Sequence, residues 1–215
     1  MIDKQTLDRV QDFHGHMCPG LAMGIRAAEI ALERIGPHAG DEEVVAIVET
    51  DMCGVDAVQV LTGCTFGKGN LIHRDYGKNA YTFGRRSDGH VIRVITKPDG
   101  WGERDLAWEE LFAKVRAHTA STAERAEFHQ RHVDRAMRVL AAPIDDLYDV
   151  VANDSFALPH PARIHTSVSC AHCGEATMET RVRMLHGDHL CIPCFESALA
   201  GHAPLPNPAI GVGRR

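Results

Sequence analysis

Two histidines, a cysteine and a proline–glycine pair fall within eight residues in FHGHMCPG, residues 13–20. Imidazole and thiolate are the donors that zinc and the softer transition metals take. In an extended segment, side chains two apart point the same way, so His14, His16 and Cys18 would share one face. Pro19 has its φ preset for a first helical turn, and GLAMGIRAAEIALERIG continues at helical spacing, predicting a helix over 19–35. The donors therefore stand just ahead of a helix N-terminus, where the dipole favours a thiolate and tends to lower a cysteine pKa. Farther along, Cys53 and Cys64 bracket the short helical pattern VDAVQVLTG, and Asp51 and Asp56 flank the first of them. A site built from His16, Cys18 and Cys53, with His14 as a further member, would leave room for water or substrate. A structural reading stands beside it: Cys18 and Cys64 as small core hydrophobes, with the histidines capping the helix.

A second constellation lies near the C-terminus. Cys170, Cys173, Cys191 and Cys194 are spaced C-x2-C-x17-C-x2-C, a pattern that fits tetrahedral zinc held by four thiolates. The tight CGE turn, a hairpin in ETRVRMLHGDHLC with a Gly-Asp turn, and a short helix from CIPCFESALAG follow in treble-clef order. With few apolar residues of its own, such a module needs its metal to fold. A closed four-cysteine site has no open position, so its zinc is structural.

Between the two, GCTFGKGNL (63–71) groups three glycines around a lysine. It is not a P-loop, because Gly69 follows Lys68 where Ser or Thr would be required. Backbone N–H groups with Lys68 and Asn70 could still hold an anion, and Lys78 of YGK could extend the same basic lip. A sharp turn that merely needs glycine accounts for these residues equally well.

The elements that must position these groups follow from periodicity. EEVVAIVET (42–50) is a β-branched run and a buried strand; NAYTFGRR (79–86) and HVIRVITKP (90–98) alternate and are joined by Ser-Asp-Gly as a hairpin. Amphipathic spacing predicts helices over 104–118 and 122–142. Helices mixed with an antiparallel hairpin indicate an α+β fold. The expected organisation is a core domain over 1–155, a Pro-containing linker over 156–168, and a zinc finger and tail over 169–215.

Apolar residues make up 44% and charged residues 24% of 215, as in an ordinary globular chain with one sizeable core and a small accessory module. No apolar run approaches the roughly 20 residues that cross a bilayer, and MIDKQTLDRVQDFHG lacks the features of a signal peptide. A cytoplasmic protein is expected, with its seven cysteines serving metal or thiol chemistry rather than disulfides. The net charge of −6 divides unevenly, +1 over 160–215 and −7 elsewhere. Neither part is the basic footprint that nucleic acid demands.

FHGHMCPGLAMGIRA, ETDMCGVDAVQVLTGCTFGKGNL and YGKNAYTF resemble the FmdE family, named for a component of formylmethanofuran dehydrogenase, over most of 10–150. The terminal SCAHCGE…CIPC resembles a zinc finger that some members append. The resemblance implies an α+β core that forms intertwined homodimers, followed by a treble-clef finger. It also implies a metal, zinc or another transition metal, at His16, Cys18 and Cys53, with His14 and Cys64 as further candidates. Three function classes follow. One is a metal-binding accessory protein, with a redox enzyme or other protein as partner, that binds or senses a metal or a metal-linked cofactor. Another is a zinc enzyme in which Asp51 or Asp56 assists proton transfer at an open site. The last is a regulator whose finger binds other molecules.

Overall fold

The computed structural model describes residues 2–102 and 105–201. By its contacts the chain divides into two compact units, Met1–Ala162 and Arg163–Arg215.

In the first unit the order is α1 (Lys4–His14), α2 (Pro19–Arg34), β1 (Val44–Val48), α3 (Gly54–Thr62), β2 (Leu71–His73), β3 (Ala80–Arg85), β4 (Val91–Thr96), α4 (Leu106–Arg116), α5 (Thr122–Ala141), α6 (Ile144–Leu147) and β5 (Tyr148–Ala152). The strands form one sheet in the order β2-β1-β3-β4-β5. Only the β1–β2 pair is parallel; the others are antiparallel. The class is α+β, as the hairpin and helices predict. Arg104, the first residue of the predicted helix 104–118, lies outside the described residues; α4 begins behind Asp105, whose carboxylate accepts from Trp108 N–H at 3.0 Å.

Register explains the core. Ala46, Phe83 and Ile92 align across three strands, as do Val48, Tyr81 and Val94, and all six belong to one buried apolar cluster together with most of α2. Period-two alternation puts Val45, Ile47, Thr82 and Val91 on the opposite face, yet these too are buried. The segment after β5, read from sequence as a linker, helps to cover that face. Arg86 donates to the Pro159 carbonyl at 2.6 Å and the Ala162 N–H to Glu42 at 2.8 Å. Leu158 lies over Gly84 so closely that a Cβ there would come within 2.4 Å of it.

Helix α1 has no counterpart in the sequence-based expectations, because only Val10 of its residues is buried and its apolar stripe is thin. Its ends are well marked all the same. Asp3 caps the N-terminus by accepting from Thr6 N–H at 2.8 Å, and Gly15 closes the C-terminus in the left-handed region at φ 93.

The second unit contains β6 (Ser167–Ser169), β7 (Ala176–Met178), a 3-10 turn (Glu179–Arg181), β8 (Val182–Leu185), β9 (Asp188–Cys191) and α7 (Ile192–Leu199). Knuckle, hairpin and helix follow in the predicted order. The hairpin turn falls on His186 and Gly187, both at positive φ (52 and 93), as a two-residue turn between twisted strands requires; the Gly-Asp turn expected from sequence is thus displaced by one residue. Residues 202–215, the end of the predicted finger and its tail, lie outside the described residues.

Candidate metal centre

Three close glycine contacts bring the core donors together. A Cβ on Gly24 would lie 2.2 Å from the Gly54 carbonyl oxygen and 2.3 Å from its Cα. A Cβ on Gly54 would lie 2.3 Å from the Tyr81 hydroxyl. On Gly20 it would lie 3.3 Å from Cys53 Cβ. Helix α2 and the start of α3 therefore touch backbone to backbone. Cys18 is the N-cap of α2 and Cys53 the N-cap of α3, so two helix N-termini converge on two thiols. Sequence reading singled out both cysteines and passed over the glycines; the Gly20-x-x-x-Gly24 spacing, one helix face of small residues, was the signal for them.

His14 completes the cluster. Its ligand atom and the sulfurs of Cys18 and Cys53 all lie within 4.8 Å of one another. His14 Nε2 is 3.8 Å from Cys18 Sγ, and Nδ1 is 2.7 Å from Asp56 Oδ2. A carboxylate accepts only, so the proton belongs on Nδ1 and the lone pair of Nε2 faces the cysteines. This carboxylate–histidine pairing is the arrangement that orients imidazole ligands and raises their basicity. Asp56 thus fastens the imidazole, where sequence reading gave it a part in proton transfer. Asp56→Ala is expected to weaken metal binding by about 10–100-fold with little effect on folding. Competition against a chromophoric chelator measures it; unchanged affinity would show that the contact does nothing for the metal.

The electrostatics oppose a bare thiolate. Burial pushes the Cys18 thiol up to about 11, against the lowering effect of backbone N–H groups at Leu21 and Gly20; Leu21 N–H lies 3.3 Å from Cys18 Sγ. The helix terminus therefore does not by itself ionise this cysteine, contrary to the sequence expectation, because desolvation outweighs it. A cation held by both sulfurs supplies the missing compensation, and two thiols with an oriented imidazole fit zinc or a softer transition metal.

The remaining predicted site residues lie elsewhere. His16 is exposed and outside the cluster, its ring centroid 4.7 Å from that of His14. The two-residue alternation fails here because α1 runs through His14 and Gly15 then reverses the chain, so His14 replaces His16 beside Cys18. Cys64 is fully buried at the far end of α3, its Sγ 3.3 Å from the Val44 carbonyl oxygen. Lys68 spends its ammonium on the carbonyls of Ala39, Gly40 and Asp41 at 3.1–3.4 Å. Asn70 is fully buried, donating to Val44 O at 2.9 Å and accepting from Thr65 N–H at 3.0 Å. The glycine–lysine loop is therefore stitched to the chain around it rather than presented to an anion. Lys78 and Asp51 are exposed.

In the second unit Cys170, Cys173, Cys191 and Cys194 are all buried, with sulfurs within 4.8 Å of one another. Four thiols this close could hold a metal such as zinc. Burial raises the Cys170 thiol, yet N–H donors from Cys173, Cys191 and His172 outweigh it and bring the group down to about 6. Burial and then the neighbouring sulfurs push Cys194 well up. One cysteine ionises readily and the rest resist, as expected of four thiols that need a divalent cation to ionise together.

Comparison with known proteins places this geometry. The sequence profile described as "FmdE, Molybdenum formylmethanofuran dehydrogenase operon" matches residues 13–149. A protein of Archaeoglobus fulgidus named "Probable S-adenosyl-L-methionine-binding protein" is 34% identical over 209 residues, covering 91% of this chain and 54% of its own length. The chain thus spans about half the length of that relative. A crystal structure of an FmdE-like protein of tungsten formylmethanofuran dehydrogenase from Syntrophus aciditrophicus superposes with a TM-score of 0.55 at 23% identity, covering 94% of each chain. That likeness is one of fold.

Proposed function

The chain belongs to the FmdE family, and we propose that it is a metal-binding accessory protein that binds or senses a metal, or a metal-linked cofactor, for a molybdenum or tungsten redox enzyme of the formylmethanofuran dehydrogenase type. The observation that carries this reading is the His14–Cys18–Cys53 cluster with Asp56 behind the imidazole. Three protein donors leave one tetrahedral position free, so a ligand or a partner's side chain can complete the coordination. The family's printed description supports the link to the redox system. A homodimer is part of the proposal and rests on the family resemblance. A cytoplasmic setting is supported by seven free cysteines. No helix among the described residues is long and apolar enough to cross a membrane.

The archaeal relative's name favours a second reading, a small-molecule binder, and makes S-adenosylmethionine the first compound to titrate. An open zinc site would also serve an enzyme, with the free position holding an acidified water.

Metal analysis of the full chain tests the proposal. Wild type is expected to carry two metal equivalents, one per cluster, when purified without chelator. Cys194→Ser is expected to carry one, and to lose the ordered amide signals of the second unit alone, because a structural site contributes its binding energy to local folding. A single equivalent in wild type that vanishes in Cys194→Ser would leave the core without metal and overturn the reading.

A further inference from the structure

One cavity of the first unit, apart from the cysteine–histidine cluster, is walled by hydrogen-bond donors and apolar groups, with no carboxylate among its lining residues. It measures about 300 Å³ and lies at the end of the β3–β4 pair. Lys78, Asn79, Arg93 and Lys97 supply its polar wall, and Ile95 and Trp101 part of its apolar one.

The donors differ in what they have left to give. Arg93 places Nε and Nη2 on the two oxygens of buried Glu49, at 2.8 and 2.9 Å. That pairing fixes the guanidinium plane, and Nη1 has no acceptor among the described residues. Asn79 Oδ1 accepts from the Tyr81 hydroxyl at 2.8 Å, so the amide is oriented and its NH2 remains a donor. Lys78 has no hydrogen bond or ion pair from its ammonium among the described residues. Lys97 is the committed one, donating to the Asp145 carbonyl at 2.5 Å and lying 3.6 Å from Asp149.

We propose that this cavity binds an oxyanion, a phosphate or carboxylate group carried on a small apolar body. Lys78, Arg93 Nη1 and the Asn79 amide supply the charge-assisted and neutral hydrogen bonds to the head group, while Trp101 and Ile95 take the apolar part. The size is at the lower end for small-molecule sites, enough for one ring and its head group. The proposal stands independently of the metal reading. The two places are nonetheless joined, because Tyr81, which holds Asn79, also packs its hydroxyl against Gly54, next to Cys53.

The chain has two tryptophans, so Trp108→Phe leaves Trp101 as the single reporter. Phenyl phosphate, benzoate and inorganic phosphate are titrated against this variant by fluorescence and against wild type by calorimetry. A saturable change in Trp101 emission with phenyl phosphate or benzoate is expected, the tighter of the two identifying the head group. Inorganic phosphate is expected to bind more weakly than phenyl phosphate. Lys78→Ala should weaken binding at least tenfold, and Arg93→Lys, which keeps a partner for Glu49, at least fivefold. Lys4→Ala, on the exposed surface of α1, should change nothing. Neither heat nor emission change with any probe would overturn the proposal, as would binding that survives Lys78→Ala or that falls equally in Lys4→Ala.

Discussion

Cys18→Ser is expected to strip the core cluster of its metal while leaving the fold in place. The two roles of Cys18 separate cleanly under this change. As the N-cap of α2 its side chain accepts from Leu21 N–H, and serine is among the best residues for that task. As a thiolate ligand it has no substitute in a serine hydroxyl, which does not ionise at neutral pH. In the presence of chelator the variant and wild type should therefore unfold within about 1 kcal/mol of each other. With metal at a thousand times its dissociation constant, wild type alone should gain about 4 kcal/mol. Metal content should fall by one equivalent per chain. Cys64→Ser is the matched control, since Cys64 only meets the Val44 carbonyl and should retain its metal. If Cys18→Ser keeps full occupancy while Cys64→Ser loses it, the ligand assignment is inverted.

Gly24→Ala is expected to be the most damaging single methyl group in the core. The new carbon would sit 2.2 Å from the Gly54 carbonyl oxygen, and backbone cannot rotate away as a side-chain end can. Helix α2 and the start of α3 would have to part. Overpacking typically costs about 1–3 kcal/mol, and a clash with main chain belongs at or above the top of that range. The same parting would draw Cys18 away from Cys53, so whatever folds should also bind metal poorly. Gly20→Ala, 3.3 Å from Cys53 Cβ, is the milder companion and should fold. Chemical denaturation and metal titration of both variants check the order; a Gly24→Ala protein as stable as wild type would mean that these helices are not locked together.

What could be read from the sequence and what could not divide along physical lines. Helix 19–35 and strand 42–50 were legible because one is a sustained helical pattern behind a proline and the other a β-branched run, and α2 and β1 occupy them. The four-cysteine cluster was legible because ligand spacing is a local property. The core cluster was only half so. Cys18 and Cys53 were placed correctly at helix starts, but the choice between His14 and His16 hung on the backbone before Pro19. A strand there would favour His16; the helix that runs to His14 and stops at Gly15 favours the other. Strand β2 has three residues, too few for any period to show. Tyr81, Asn79 and Arg93 meet around the same strand ends only through register, which a linear pattern does not carry.

The convergence of two helix N-termini on Cys18 and Cys53 also sets a charge balance. A divalent cation with two thiolates and a neutral imidazole is formally neutral, whereas each helix terminus contributes about half a positive charge. The surroundings of such a complex are thus net positive by roughly one unit from these helices alone. An anionic fourth ligand, such as hydroxide, a carboxylate or a third thiolate, is favoured there over water or a neutral amine, and chloride or cyanide should compete with it.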